Sequence, residues 1–262
     1  MTRILTILPL ILLFCGCATD STGSAILQFG AAMAGPADFG GGPASFTSGL
    51  NFKVNLTRAK LHVGAVYLNR AVSISGAQAT SCILQGIYVA EITSPLDVDC
   101  LSPLPQNFPT LGRGTQDSAA TGEIWLSGGD VNAEDDATVI VDLAGTASKQ
   151  GVEYAFEGQL HIGKTRQVPP SDPAQPGANP MCKQRIVSPI PINIPLAPNG
   201  SLLIRVDPRT WFSNVDFSQL SVLADKSQLY FFSDAGEKQP DINLYSAIRS
   251  RAPWQFQWRD HP

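Results

Sequence analysis

An acidic segment near the middle of the chain carries the densest set of potential metal ligands. Oxygen-bearing side chains alternate there after two glycines, at Asp130, Asn132, Glu134 and Asp136. Carboxylate and amide oxygens spaced in this way in a loop can converge on a hard cation such as calcium. Alternatively, the segment is a solvated turn in which Asp130 and Asn132 bond to their own backbone. The pattern therefore predicts either a calcium site or an acidic turn between strands.

Two histidines lie in nearly identical tetrapeptides, Leu61-His62-Val63-Gly64 and Leu160-His161-Ile162-Gly163. Each histidine has the opposite parity to its apolar neighbours, so two adjacent strands would project both imidazoles from one outer face. Imidazole nitrogens bind copper and zinc, which makes the pair a candidate transition-metal site. A third ligand would have to be His261, near the C-terminus. A weak internal duplication and two unrelated, half-exposed histidines are the alternatives.

Motifs of common enzymes are missing from the sequence. It contains no Gly-x-Ser-x-Gly, His-Glu-x-x-His or Ser-x-x-Lys pattern and no glycine loop of the phosphate-binding type. With three histidines the chain also has few candidate general bases. We therefore predict no catalytic residues and a protein that is not an enzyme. A hydrolase with dispersed carboxylates is the alternative, because such a pair leaves no sequence motif.

The first residues of the chain are those of an export signal. Arg3 precedes an apolar run from Ile4 to Phe14, and small residues follow. A membrane-spanning helix needs about 20 apolar residues, whereas this run is shorter and contains Pro9. A cleaved signal peptide over residues 1–16 is therefore favoured over a retained membrane helix.

The end of this signal, Phe14-Cys15-Gly16-Cys17, resembles the lipobox of bacterial lipoproteins. In that family the cysteine is lipidated and becomes the new N-terminus, which implies that Cys17 carries acyl chains such as palmitate. Several chains together hold a protein on a membrane without a spanning helix. Ala18 is not the aspartate that retains many such proteins at the inner membrane, so the resemblance implies an outer-membrane location.

Three cysteines remain in the mature chain, Cys82, Cys100 and Cys182. Export to an oxidising compartment favours one disulfide with one thiol left over. We predict a Cys82–Cys182 bond, because Cys182 ends a segment rich in proline and glycine with little else to order it. A Cys82–Cys100 bond closing a smaller loop is the alternative.

Composition limits the partners and the fold. The net charge is −4 and charged residues make up 15% of the chain, which argues against nucleic acid because phosphates require a basic surface. Residues 17–49 are rich in Ala, Gly, Ser and Thr, which predicts a lipidated, flexible tether. Within it, Ala25 to Phe29 could instead be a first strand docked on the domain or a membrane-contacting element.

From residue 50 onward, apolar and polar residues alternate in short runs, which is typical of half-buried strands. Gly, Pro, Asn and Asp turns separate them, and no helical pattern lies between them. The sequence therefore predicts one mainly β domain over 50–262, an antiparallel β-sandwich or open barrel. The predicted strands lie near residues 50–56, 60–68, 86–93, 120–126, 138–143, 152–162, 185–194 and 201–206.

Prolines identify one edge of the predicted sheet. Ile190, Ile192 and Ile194 share one parity, and Pro189 and Pro191 occupy the other. Proline cannot donate a ladder hydrogen bond, so this strand should lie at a sheet edge.

The C-terminal part predicts one or two short helices and a last strand. Asp207-Pro208 is typical of a helix start, and Asp241 is predicted to cap a second helix that ends near Ser250. Trp254, Phe256 and Trp258 then alternate with glutamine, which favours the inner face of a closing strand over an exposed ligand-binding face.

Together these features predict a lipid-anchored outer-membrane protein with a structural or binding role in the cell envelope. Its partners would be the membrane, through the anchor, and an envelope protein or polysaccharide. Metal binding is the first alternative to this role, and hydrolysis is the second.

Overall fold

The computed structural model describes residues 25–71, 87–163, 181–223, 226–234 and 237–260. These residues form sixteen strands. In chain order the strands are β1 (Ile26–Ala34), β2 (Ala44–Thr47), β3 (Lys53–Val63), β4 (Ala65–Asn69), β5 (Tyr88–Ile92), β6 (Leu96–Asp99), β7 (Gln106–Asn107), β8 (Gly112–Thr115), β9 (Ser118–Trp125), β10 (Val139–Lys149), β11 (Val152–His161), β12 (Ile186–Pro195), β13 (Gly200–Val206), β14 (Ser221–Leu223), β15 (Lys226–Phe232) and β16 (Trp254–Asp260). Two α-helices, α1 (Met181–Arg185) and α2 (Gln239–Ile248), and two 3-10 helices, Pro208–Phe212 and Phe217–Gln219, complete the described elements.

The strands form two sheets. The larger sheet has nine strands in the order β12-β9-β4-β5-β8-β1-β13-β16, with β7 paired to β1. The smaller sheet has seven, in the order β14-β15-β11-β10-β3-β2, with β6 paired to β3. The larger sheet curls until its two edge strands, β12 and β16, come into contact, so it is nearly a closed barrel. The predicted mainly β fold, a sandwich or open barrel with short C-terminal helices, is confirmed.

One hydrophobic core lies between the sheets. The larger sheet contributes Phe29, Val66 and Ile124, and the smaller sheet contributes Leu56, Leu143 and Phe156. Since the inner faces of both sheets are used in this core, only their outer faces are open to solvent. This placement decides which polar side chains can meet a ligand.

The two 3-10 helices supply aromatic rings to the core. The ring of Phe156 lies 5.8 Å from that of Phe212 and 4.9 Å from that of Phe217, between ring centroids. The predicted helix start at Asp207-Pro208 is confirmed as a 3-10 helix, in which the Asp207 carboxylate accepts a hydrogen bond from the Arg209 amide at 3.0 Å.

The predicted tether over residues 17–49 is wrong for residues 25–49. Strand β1 lies inside the larger sheet, parallel to β13 and antiparallel to β8. Of the two alternatives to a tether, a first strand docked on the domain is therefore the one that the structure supports. Its second half is buried on both faces, and there Ala32 and Ala34 pack against Leu203 in a small separate cluster. Small side chains are required at such positions, which is why the composition resembled that of a linker.

Pairing in the sheets is mostly antiparallel, as predicted, but two pairs are parallel. These are β1 with β13 and β11 with β15. In both pairs the two strands are separated by long stretches of chain that contain other elements. Such a connection lets the chain cross back to the starting end of the first strand, as a parallel pair requires. The proline-containing strand β12 lies at the edge of the larger sheet, which confirms the prediction from Pro189 and Pro191.

The C-terminal helix and strand are confirmed with one correction. Helix α2 starts at Gln239, and Asp241 lies within its first turn instead of capping it. The Asp241 carboxylate accepts a hydrogen bond from the Ser233 amide at 2.7 Å, which ties the helix to the end of β15. In β16, Trp254 is buried and Phe256 and Trp258 pack against the core. No helix in the described ranges is long and apolar enough to cross a membrane.

Candidate binding site on the outer face of the smaller sheet

Three neighbouring strands place polar side chains in register on the outer face of the smaller sheet. Lys60 of β3 lies opposite Asp142 of β10, which lies opposite Gln159 of β11. These positions alternate with buried core residues such as Leu61 and Leu143. Since side chains of a strand alternate between faces, the polar set must point away from the core.

His62 has the most unusual environment on this face. Its Nδ1 atom lies 2.7 Å from Oδ1 of Asp97, which is opposite it on β6. When Nδ1–H donates to the carboxylate, Nε2 keeps its lone pair. That Nε2 atom is buried and has no hydrogen-bond partner. The imidazole is therefore held in place with one nitrogen able to accept a hydrogen bond or bind a metal.

Two cavities lie side by side along the face. One has a volume of about 270 Å³ and the other about 380 Å³. Gln159 lines both, and an ion pair between Arg58 and Asp142, at 3.0 Å, lies where they meet. His62 and Lys60 line the first cavity, and Glu157 lines the second together with Phe231. The combined groove presents charges of both signs, an amide and an aromatic edge.

His161 also lies on this face but not beside His62. Its strand, β11, is separated from β3 by β10. The two histidines are therefore not on adjacent strands, as the predicted metal site requires. Two strand spacings amount to about 9.6 Å. Nδ1 of His161 lies 3.4 Å from Asp234 Oδ2, so each imidazole has its own aspartate. Within the described part of the chain, no three His, Cys, Asp or Glu side chains are grouped as metal ligands. The predicted two-histidine metal site is not assembled.

The acidic loop is organised by a buried arginine. The Arg185 side chain is fully buried and donates to the carbonyl oxygens of Ile162, Asp130 and Val131, at 2.8, 3.1 and 3.0 Å. Its guanidinium also lies 3.8 Å from the Asp136 carboxylate. A cation is therefore already present in the loop, supplied by the protein itself.

The carboxylates of this loop are used as local caps. Asp136 accepts from the amides of Gly128 and Thr138, both at 3.0 Å, and Asp130 accepts from the Asn132 amide at 2.9 Å. Burial alone would raise the pKa of Asp136, but these hydrogen bonds and Arg185 lower it. The side chains of Asp130, Asn132, Glu134 and Asp136 do not form a ligand cluster. The acidic turn is the alternative that the geometry supports.

The structure tests one of the two predicted disulfide pairings. Cys100 is a free, fully buried thiol, so the alternative Cys82–Cys100 bond is wrong. Cys182 is also fully buried and is disulfide-bonded. Cys82 lies outside the described residues, so the Cys82–Cys182 pairing stays a prediction. Cys17 and His261 also lie outside the described ranges.

Sequence reasoning missed a buried carboxylate on the larger sheet. Glu123 of β9 is fully buried. It accepts hydrogen bonds from Asn69 and Ser188, at 3.1 and 3.3 Å, and the Trp125 indole N–H lies 3.5 Å away. Burial raises the pKa of Glu123, and these donors offset the shift only in part. A single acidic residue within an otherwise uncharged strand was the available sequence signal.

The comparisons with known proteins add little to this geometry. No family model matches the chain, and no curated protein matches it. Among solved structures the chain is similar to MbnP from Methylosinus trichosporium, with a TM-score of 0.42 and 12% sequence identity. The similarity covers 90% of this chain and 99% of that one. A similarity of this size assigns neither a family nor a function.

Proposed function

We propose that this chain is a lipid-anchored outer-membrane protein whose β domain binds an envelope ligand on the outer face of the smaller sheet. The anchor would be Cys17, which the lipobox resemblance supports. The binding role is carried by one observation, the groove formed by the two adjoining cavities. It is lined by Lys60, Gln159, Glu157 and His62, and the Nε2 atom of His62 is buried without a hydrogen-bond partner.

The chemistry of the groove indicates the class of ligand. Positively charged, negatively charged and amide side chains lie in register along the groove, and Phe231 lines its second cavity. Such a surface suits a polar polymer that carries hydroxyl, carboxylate and amino groups, such as an envelope polysaccharide with peptide side chains. The proposal assigns the groove a binding role and names no catalytic residue.

The anchor is tested by labelling cells with palmitate and by fractionating a Cys17→Ser variant. Labelled acyl chains should be incorporated into the parent, and the variant should move from the membrane fraction to the soluble fraction. An unlabelled parent, or a variant that stays with the membranes, would contradict the anchor.

The groove is tested by calorimetric titration of the soluble Cys17→Ser form with muropeptides released from purified cell walls. Glu157→Gln should weaken binding, because it removes a charge from the groove lining. Glu153→Gln is the matched control. It removes the same charge from the same strand and face, four residues away and outside both cavities. Equal effects of the two variants would contradict the placement of the site.

A metal-binding role is a second candidate, favoured by His62 alone. Its carboxylate-held imidazole has the arrangement that orients histidine ligands in metal sites. The described residues that line the groove supply one imidazole ligand, the Nε2 atom of His62, so metal binding should be weak. Zinc or copper titration of the parent and of His62→Gln separates the two roles. A loss of bound metal in the variant, with muropeptide binding unchanged, would favour the metal role.

A further inference from the structure

The outer face of the larger sheet carries a group of exposed apolar side chains. Ile26 of β1 is 82% exposed, Leu111 before β8 is 57% exposed, and Ile87 and Tyr88 at the start of β5 are 54% and 44% exposed. We call these four residues the apolar patch. Scattered exposed apolar residues are ordinary, but a group on adjoining strands marks an interaction surface.

Strand register shows that the patch is continuous. Ile26 lies opposite Thr115 in the β1–β8 pair, and Arg113 lies opposite both Gln28 of β1 and Glu91 of β5. Two adjoining cavities, of about 410 and 260 Å³, share Arg113 and Glu91. Leu111 lines the first cavity, and Ile26 and Tyr88 line the second. Ile26, Leu111 and Tyr88 therefore line one shallow depression that also contains Arg113 and Glu91.

The formal charges in this depression cancel. Arg113 and Glu91 are direct cross-strand neighbours, and neither forms an ion pair within 4.0 Å with any described residue, including each other. The patch is thus electrically neutral as a whole, with apolar and tyrosine side chains at its rim. This composition resembles that of protein surfaces at the lipid–water interface, where tyrosine and aliphatic side chains enter the head-group region.

The position of the patch identifies what covers it. Ile26 is the first residue of β1, and only seven residues separate Ala25 from Cys17. The eight Cα–Cα steps from Cys17 to Ala25 span at most about 28 Å when fully extended. An anchor at Cys17 therefore keeps the start of β1 near the bilayer, whatever path the intervening chain takes. The groove of the smaller sheet is built from other strands and shares no lining residue with the two cavities of the patch.

We propose that the apolar patch rests on the bilayer surface, which leaves the groove of the smaller sheet, built from other strands, outside the membrane contact. This inference rests on the proposed lipid anchor. Contact is driven by Ile26, Leu111, Ile87 and Tyr88, not by lipid charge, because Arg113 and Glu91 compensate each other. The same contact is therefore expected on zwitterionic vesicles and on vesicles containing anionic lipid.

The test uses the mature, lipidated protein reconstituted into vesicles of phosphatidylethanolamine with and without phosphatidylglycerol. An environment-sensitive fluorophore is attached to Ile26→Cys or Leu111→Cys, in the patch. Val152→Cys and Val222→Cys are matched controls, since both replace exposed valines on strands of the smaller sheet. Cys100 is fully buried, and the parent carried through the same labelling gives the background.

Lipids with a nitroxide in the acyl chain should quench the patch labels several times more strongly than the control labels, with either vesicle. Equal quenching at all four positions, or stronger quenching of the controls, in protein that floats with the vesicles would overturn the inference and leave the anchor intact. Protein that does not float would overturn the anchor and, with it, the inference.

Hydrogen exchange of the unlabelled protein excludes an effect of the fluorophore itself. Amides of residues 87–91 and 111–115 should exchange more slowly on vesicles than in the soluble Cys17→Ser form, and amides of 221–223 should not change. A double variant, Ile26→Ser with Leu111→Ser, should float with vesicles as the parent does but lose the slower exchange. Slower exchange that persists in this variant would contradict the role of the patch.

Discussion

Replacing Arg185 should destabilise the domain strongly, because its guanidinium is fully buried and holds three backbone carbonyls. In Arg185→Met the carbonyl oxygens of Ile162, Asp130 and Val131 lose their donor, and Asp136 loses its cation. A buried acceptor left without a partner costs about 1 to 3 kcal/mol, and removing one member of a buried ion pair costs about 3 to 5 kcal/mol. Water can reach the turn on its solvent side, so we expect a loss of about 4 kcal/mol in the free energy of unfolding.

For a domain of this size, that loss corresponds to a fall in Tm of about 8 to 16 °C. Chemical denaturation of the soluble Cys17→Ser form, with and without Arg185→Met, measures it. Arg58→Met is the control, since its ion pair with Asp142 is partly exposed and should contribute at most about 1 kcal/mol. Hydrogen exchange should also become faster at residues 128–136 in Arg185→Met. A loss below about 1 kcal/mol would refute the assignment of Arg185 as the organiser of the acidic loop.

Three further predictions concern the loop, the buried carboxyl and the core. Millimolar calcium and a chelator should both leave Tm unchanged, because Arg185 already supplies the positive charge in the loop; a calcium-dependent rise in Tm would contradict this. The pKa of Glu123 is raised, so its protonated form contributes stability at low pH that is lost as pH rises through the folded-state pKa. The free energy of unfolding of the parent, relative to Glu123→Gln, should therefore fall in urea titrations as pH rises from the unfolded-state pKa through the folded-state pKa; a constant or rising difference would contradict it. Phe156→Ala should cost about 3 to 5 kcal/mol, because its ring contacts those of Phe212 and Phe217; a cost near that of an exposed substitution would show that the core is not closed there.

Alternation and proline placement were enough to predict most of the strands. The run around Phe52 to Leu56 shows the period of two that becomes β3, and Pro189 and Pro191 placed β12 at an edge. These signals are local, because each depends on which side of one strand faces the core. The parallel pairs could not be predicted, since they depend on where distant strands meet.

Strand β1 was misread because its composition has two physical explanations. Ala31 to Ala34 could belong to a flexible tether or to a strand buried on both faces where only small side chains fit. Composition alone does not separate the two, and the neighbours that bury β1 come from β8 and β13, far along the chain.

The candidate site shows the same division between local and distant information. The parity of His62 and His161 placed both on an outer face, but the strand between them, β10, is set by pairing and not by sequence pattern. The aspartates beside them, Asp97 and Asp234, come from separate elements. Arg185 gave no signal at all, because nothing in its local sequence indicates that it is buried.

The ligand-binding role of the smaller sheet is tested most directly by the imidazole resonances of the protein in solution. The chain has three histidines, His62, His161 and His261, so their ring signals can be assigned by single substitutions. During titration with muropeptides, the His62 ring signals should shift in a saturable way. The Glu157→Gln variant should need more ligand for the same shift than Glu153→Gln. Saturable muropeptide binding that leaves the His62 signals unmoved would contradict a ligand site in this groove.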